Sequence, residues 1–581
     1  MSRPDDARRE ALSRRAFLRG AAGSGGGLVL ALWFGPRLVA RPFSSVEDAA
    51  EFAPNAFLRV DRDGGVTLLA KHDEMGQGIH TGLAIAVAEE LEIDVAAIDV
   101  VPAPSGPAYR HSLYGVQGTG GSTSTWTSFD QMRQAGAVAR TMLVAAAAAE
   151  WGVDADECFA RDGKVVRRDG SAERSYGSLA AAAAARPVPA EVALKDRSEF
   201  RRIGRSTSRV DSPAKVRGTA VFSLDQRRPG MLVAMVERPP TFGGSVKRLD
   251  PDAALRVPGV RRVVEVESGV AVVADGFWAA KKGREALVVE WNGGLGASID
   301  TARLRREYTR LAERPGRVVR SDGDFEAAAV DADELFEAIY EVPFQAHAPM
   351  EPLSCMVELT ADGGAHVVTG SQFLGIDHPA AAAALGVDPS RVTFENSFLG
   401  GGFGRRANPK ADFTVEAIRV AQAVADLGVP VKTVWTREDD LKGGWYRPMF
   451  LNGVAGAVKD GKLVGWRHRI VGQSIAVGTA FEGAMLEDGV DSTSVEGAAD
   501  MPHGVPNLRV ELSTVSLAVP VQWWRSVGHS NTAFAKECFL DECAERVGKD
   551  GYAFRRELLR GHGRLLAVLD RAAEAAEIGR A

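Results

Sequence analysis

Three glycine-bearing loops carry the strongest chemical signal in this sequence. They are Glu74-Met75-Gly76-Gln77-Gly78-Ile79-His80-Thr81, Gly118-Thr119-Gly120-Gly121-Ser122-Thr123-Ser124 and Gly400-Gly401-Gly402-Phe403-Gly404-Arg405-Arg406. Glycine lets backbone approach a ligand closely and adopt positive φ. Where such a loop opens a helix, unpaired N–H groups and the positive helix end face whatever sits there, which suits a pyrophosphate. One such loop reads more readily as a tight turn. Three in one chain point to a phosphorylated, non-nucleotide group gripped mainly by backbone. The common templates are missing: there is no GxxxxGK[ST], no GxGxxG set between a strand and a helix, no HExxH and no GxSxG. The ten histidines show no metal-ligand spacing and read as surface or satisfied core residues. The four cysteines (Cys158, Cys355, Cys538, Cys543) form no CxxC pair, so neither zinc nor an iron–sulfur cluster is expected within this chain.

The elements that must position these loops follow from local pattern. Segments 56–61 and 66–71 flank Asp63-Gly64-Gly65 and predict a hairpin. Leu83, Val87 and Leu91 recur every four residues and predict a helix after the first loop. A strand over 97–101 follows, and the second loop opens an Ala-rich helix running to about Trp151. Short apolar strands at 220–224, 231–236, 261–266, 270–274 and 287–291 suggest a compact α+β unit over 201–292. Residues 293–334 are polar and read as a linker with one helix. Between 335 and 565 strands alternate with helices, and the third loop lies between a strand at 392–398 and a helix at 413–427. With 70 Lys plus Arg against 76 Asp plus Glu, the net charge of −6 argues against a nucleic-acid partner. The 45% hydrophobic and 25% charged composition is that of a packed globular protein.

Residues 1–40 read as an address. Arg14-Arg15-Ala16-Phe17-Leu18, ahead of a weakly apolar stretch, is the signature of a twin-arginine export signal, which implies a periplasmic location. Glycines at 23 and 25–27, then Pro36 and Arg37, break the stretch below the ~20 apolar residues of a membrane span. With no small-x-small cleavage site in view, an uncleaved membrane anchor is the alternative.

The order of motifs resembles the molybdopterin-binding large (beta) subunits of the xanthine oxidase family, of the isoquinoline 1-oxidoreductase and aldehyde-oxidising type. Met75-Gly76-Gln77-Gly78, Gly120-Gly121-Ser122-Thr123-Ser124 and Gly400-Gly401-Gly402-Phe403-Gly404 carry the resemblance. Pro213-Ala214-Lys215-Val216-Arg217-Gly218 with Pro229-Gly230-Met231-Leu232 looks like the family's "hammerhead" domain. His347-Ala348-Pro349-Met350-Glu351-Pro352, Arg437-Glu438-Asp439-Asp440 and Trp524-Arg525-Ser526-Val527-Gly528-His529 also fit. The resemblance covers 53–575 and implies a multi-domain α+β molybdenum-hydroxylase architecture. Its parts would be 53–190 (first part of the molybdopterin-binding domain), 201–292 (hammerhead domain), 293–334 (linker) and 335–565 (second molybdopterin-binding part).

The resemblance further implies hydroxylation of aldehydes or N-heteroaromatic compounds with water. The cofactor would be molybdopterin, with the cytosine dinucleotide form as one option. The metal would be held by the pterin dithiolene, so no protein metal ligand is assigned. Iron–sulfur clusters would sit on a separate small [2Fe-2S] subunit, with a cytochrome c as one candidate acceptor. Carried over by position, Gly76 and Gln77 would contact the pterin, and Gly121, Ser122, Thr123 and Ser124 the phosphates. Gly402, Phe403 and Gly404 would form the third cofactor-binding loop, Phe403 and Gly404 lying at the edge nearest the metal. Gln345 would hydrogen-bond the metal's oxo group, and Arg525 would approach the cofactor. The family's catalytic glutamate belongs to a Gly-Glu-Pro-Gly-like segment, and neither Gly-Glu-Pro nor Gly-Glu-x-Gly occurs here. No catalytic residue is therefore assigned. The alternative expectation is a truncated or split, catalytically incomplete chain that needs another polypeptide for that glutamate.

Overall fold

The computed structural model describes residues 56–578; the expected export signal at 1–40 lies outside them. The first unit begins with the antiparallel pair Leu58–Val60 and Val66–Ala70, as the Asp-Gly-Gly turn predicts. The chain then crosses over through the helix Ile79–Leu91 and returns as Ile98–Pro102, parallel to Val66–Ala70. The 28-residue helix Ser124–Trp151 lies against Ile79–Leu91. Small residues explain how closely: a Cβ added at Gly136 would stand 2.6 Å from the Val87 carbonyl oxygen. The alanine-rich sequence thus serves packing as well as helix propensity. A small sheet of Cys158–Arg161, Lys164–Arg167 and Glu173–Ser175 completes this part with the helix Tyr176–Ala184.

A seven-stranded mixed sheet forms the centre. Its spatial order is Val392–Asn396, Ala365–Thr369, Ser354–Leu359, Val431–Val434, Leu232–Glu237, Gly269–Ala274 and Val260–Val266. Val431–Val434 pairs parallel with Leu232–Glu237 on one side and antiparallel with Ser354–Leu359 on the other. Strands from the expected 201–292 unit therefore share one sheet with strands from 335–565. Residues 220–224 form no ladder strand: Phe222 makes one isolated bridge to Phe398, and Ser223–Asp225 is a 3₁₀ turn.

A five-stranded sheet follows, in the order Arg317–Asp322, Asn507–Val515, Lys462–Gln473, Phe450–Lys459, Glu334–Val342. The expected linker thus contributes an edge strand, Arg317–Asp322, and two helices, Thr301–Ala312 and Phe325–Val330. Thr301–Ala312 buries Leu304, Tyr308 and Ala312, one turn apart each, which is why a largely charged segment still folds onto the sheet. Among the described residues no helix is long and apolar enough to cross a membrane.

Candidate functional site

The three glycine loops converge although their sequence positions span more than three hundred residues. Leu399 N–H donates to the Glu74 carbonyl (3.2 Å), joining the third loop to the first. Thr119 N–H donates to the Gln372 carbonyl (2.8 Å), and Gln372 N–H to the Arg406 carbonyl (2.9 Å). The Gln372 side chain completes the tie: Nε2 donates to the Thr119 carbonyl (3.3 Å) and Oε1 accepts from Gly404 N–H (3.3 Å). Buried Gln372 therefore spends its backbone and its amide on fixing the second loop against the third. Beneath the first loop, Asp73 binds Thr119 through its backbone and carboxylate and also accepts from Asn396. Its burial pushes this carboxyl up to about 7.

The loops differ in what remains free to meet a ligand. In the first, the Glu74 carboxylate accepts from Gly76, Gly78 and His80 N–H at 2.8, 3.1 and 3.1 Å. An internal anion thus occupies the positive end of the helix Ile79–Leu91, and Arg209 pairs with it at 2.9 Å. The exposed Gln77 folds onto its own loop, accepting from Met75 N–H and donating to the Asp73 carbonyl. Open space remains at Gly76, whose added Cβ would meet nothing within 4 Å, and the Met75 side chain borders Gly402.

The second loop is the opposite case. Gly121 and Ser122 are exposed with φ of 62° and 55°, and Thr123, the N-cap of the 28-residue helix, gives it no side-chain cap. The Thr123 hydroxyl donates instead to the Gly120 carbonyl (2.8 Å). The first-turn N–H groups of this helix have no partner within it, so this loop presents the open anion seat. Ser122, Ser124 and the 121–122 backbone face it, while the Thr123 hydroxyl is already engaged.

The third loop is held from below by two buried arginines. Arg406 donates to the carbonyls of Gly401, Gly370 and Glu351 and pairs with the Glu351 carboxylate at 3.0 Å. That carboxylate also accepts from Gly400 N–H, Leu224 N–H and the Ser223 hydroxyl, which marks Glu351 as structural. Arg405 pairs with Asp412 at 2.6 Å. Phe403 adopts a φ of 57° between Gly401 at 91° and Gly404 at 110°, whereas Gly402 is not in the left-handed region. Gly402 is needed for space, since an added Cβ would stand 2.5 Å from Gln372 Oε1 and 3.4 Å from Met75 Sδ. Gly404 has the same problem against the Trp523 carbonyl, at 2.4 Å.

Residues 522–527 wall the third loop. Arg525 N–H donates to the Phe403 carbonyl (2.7 Å), so this residue approaches through its backbone while its side chain is exposed. Trp523 lies against Phe373 and Phe481 at ring distances of 5.6 and 5.2 Å, forming an aromatic flank beside the second and third loops. Gln345 is exposed and bridged by backbone to Arg447. Buried His347 donates Nε2–H to the Trp523 carbonyl (2.9 Å), and burial holds its pKa down to about 3. Two buried polar atoms along this wall, His347 Nδ1 and Trp524 Nε1, have no partner among the described residues. Among the described residues no group of three or more His, Cys, Asp or Glu side chains is arranged to hold a metal ion. A separate cavity of about 670 Å³ between Met231, Trp278, Trp435 and Arg437 contains none of the loop residues.

Gln372, Glu74 and Arg406 went unassigned by sequence reasoning. Gln372 and Arg406 act on partners distant in the chain. Glu74, whose backbone N–H partners are two to six residues away, had a readable signal as the acid opening a glycine loop before a helix.

Comparison with known proteins gives this geometry a family. Two models described as molybdopterin cofactor-binding domains match residues 24–229 and 311–559. The chain is 33% identical over 97% of its length to isoquinoline 1-oxidoreductase subunit beta of Brevundimonas diminuta, covering 77% of it. It is 31% identical over 96% of its length to the membrane-bound aldehyde dehydrogenase [pyrroloquinoline-quinone] of Gluconacetobacter polyoxogenes, covering 74% of it. Quinoline 2-oxidoreductase from Pseudomonas putida 86 shares the fold with a TM-score of 0.50 at 18% identity, over 63% of this chain and 50% of that one. With glycine loops closing on one open anion seat, and a relative one-third identical along nearly its whole length, the chain belongs to the xanthine oxidase family of molybdopterin-binding oxidoreductase subunits.

Proposed function

We propose that this chain is the cofactor-bearing subunit of a molybdenum hydroxylase that oxidises aldehydes or N-heteroaromatic compounds. The observation that carries this reading is the convergence of the three loops, with the second left uncapped. The residues present fit a phosphorylated pterin. An open helix end and the Ser122 and Ser124 side chains suit its phosphate, and the buried Trp524 Nε1 beside the third loop is a donor without a partner among the described residues. Gly402 and Gly404 let the third loop close against Gln372 and the Trp523 carbonyl, which fixes the backbone that would hold the cofactor. When bound, the cofactor supplies a metal centre able to add water-derived oxygen to an electron-poor carbon while accepting two electrons.

The chain's own residues do the rest. The second loop holds the anionic end, Gln372 sets the distance between the second and third loops, and buried Arg406 and Glu351 keep the third loop rigid. The Phe373, Phe481 and Trp523 flank excludes water and offers flat apolar surface, which favours an aromatic substrate over a short aliphatic aldehyde. A small [2Fe-2S] subunit would take the electrons, with a cytochrome c as a candidate final acceptor. The relative named subunit beta is one part of a multi-subunit enzyme, in keeping with that assignment. The twin arginine at 14–15 supports export in folded, loaded form to the periplasm.

The deciding experiment is co-expression with molybdenum-cofactor maturation factors, then metal and pterin analysis of the purified chain. About one molybdenum and one pterin per chain is expected. A folded preparation containing neither would overturn the reading.

A further inference from the structure

We propose that His111 is a positioning residue that aims the Gly121 N–H at the phosphate seat, acting through Thr123. The proposal rests on the reading above that the second loop seats a phosphate. Its basis is a hydrogen-bond chain whose direction the structure fixes. Leu113 N–H donates to His111 Nδ1 at 3.1 Å, so the ring carries its proton on Nε2. Nε2–H then donates to Thr123 Oγ1 at 2.6 Å, and the Thr123 hydroxyl passes its own proton to the Gly120 carbonyl at 2.8 Å. Tyr114 stacks on the His111 ring at 4.2 Å, and its hydroxyl donates to the same carbonyl at 3.2 Å. Thr123 N–H adds a further donor at 3.3 Å.

Three donors thus pull the Gly120 carbonyl oxygen inward. In a planar trans peptide the following N–H points the opposite way. The Gly121 N–H is therefore turned outward, on the exposed side of the loop. Glycine is required at 121 twice over: its φ is 62°, and an added Cβ would stand 2.3 Å from the Tyr114 hydroxyl.

The groups facing His111 keep it neutral. Burial and nearby Lys71 hold its pKa down to about 4, and His72 lies edge-on at 5.3 Å. His72 braces the start of the same loop, donating from Nδ1 to the Gly118 carbonyl (3.2 Å) and accepting from the Ser128 hydroxyl (2.9 Å).

The test has two arms. In the first, loaded protein is prepared as wild type, His111→Ala, His111→Gln, Thr123→Val and the double variant His111→Ala/Thr123→Val. The rate of molybdenum and pterin loss on gel filtration is then compared at matched urea stability. His111→Ala and Thr123→Val should each speed loss about tenfold, the worth of roughly one hydrogen bond. The double variant should be no worse than either single one, and His111→Gln, which keeps a donor, should retain most of the cofactor. Multiplying losses in the double variant would overturn the proposal. If His111→Ala does not fold, the cycle of His111→Phe, which keeps the ring against Tyr114 but has no donor, with Thr123→Val decides by the same rule.

In the second arm, cofactor-free chain with ¹⁵N-labelled glycine is titrated with inorganic pyrophosphate. The Gly121 amide should shift in wild type and clearly less in His111→Ala at the same pyrophosphate concentration. An equal response in both, or none in wild type, would sink the proposal. This arm needs no bound cofactor, so its failure is distinguishable from a failure of the functional reading.

Discussion

The space beside Gly402 decides the third loop. Gly402→Val would drive a branched side chain into Gln372 Oε1, 2.5 Å from the new Cβ, and push apart the bond that ties two loops. The overpacking should cost about 1–3 kcal/mol. Molybdenum retention should fall well beyond what that destabilisation explains, because Gln372 also carries Gly404. Metal content at matched folded fraction is the measurement, and full occupancy would mean that the loop is only a turn. Arg406 makes the complementary case. Arg406→Leu leaves the Glu351 carboxylate buried without its cation, a loss of about 3–5 kcal/mol in urea denaturation. The substitution should be rescued in part by Glu351→Gln in the same chain, since the neutral amide needs no counter-charge.

At the scale of elements, the first two helices show how one end can be closed and another left open. Ile79–Leu91 is closed by Glu74, so Glu74→Gln should destabilise the protein by about 1 kcal/mol through loss of the charge–dipole interaction and the half-exposed Arg209 pair. Urea midpoints for wild type and variant check this. Cofactor retention should change little, because the second loop holds the anion. Much at this scale was legible in the sequence. The spacing of Leu83, Val87 and Leu91 locates the first helix, and Gly152 at φ 66° ends the second beside Trp151, as expected. Strand pairing was not legible, because period-two patterns name strands without naming partners. The edge strand Arg317–Asp322 looked like linker because edge strands carry charge to discourage association. The glycine loops were visible as open-backbone motifs, yet whether their amides were free or spent depended on Glu74, Thr123 and Gln372, whose side-chain directions no local pattern reports.

For the whole molecule, acid should be the most damaging condition. Burial holds His72, His347 and His468 down to about 3 and His111 and His503 down to about 4, against 6.5 for a free side chain. Between pH 6.5 and 4 the unfolded chain binds protons at these five positions that the folded chain refuses, so stability falls as pH drops. Asp73 and Asp377, raised to about 7, act the other way by taking protons in the folded state first. Glu89, held down to about 2, joins the histidines below pH 4.5. Five groups against two predict a urea midpoint that declines steadily from pH 7 to 4.5; a flat or rising profile would contradict the burial of these rings. The central sheet carries a different consequence, one of timing. Leu232–Glu237, Gly269–Ala274 and Val260–Val266 leave the ribosome together, but Val431–Val434, which must pair with Leu232–Glu237, follows about 150 residues later. At roughly 5–20 residues per second the nascent chain carries an unpaired, Val-rich edge for on the order of ten seconds or more. Protection of that edge during synthesis is therefore a demand on the chain separate from the stability of the finished fold.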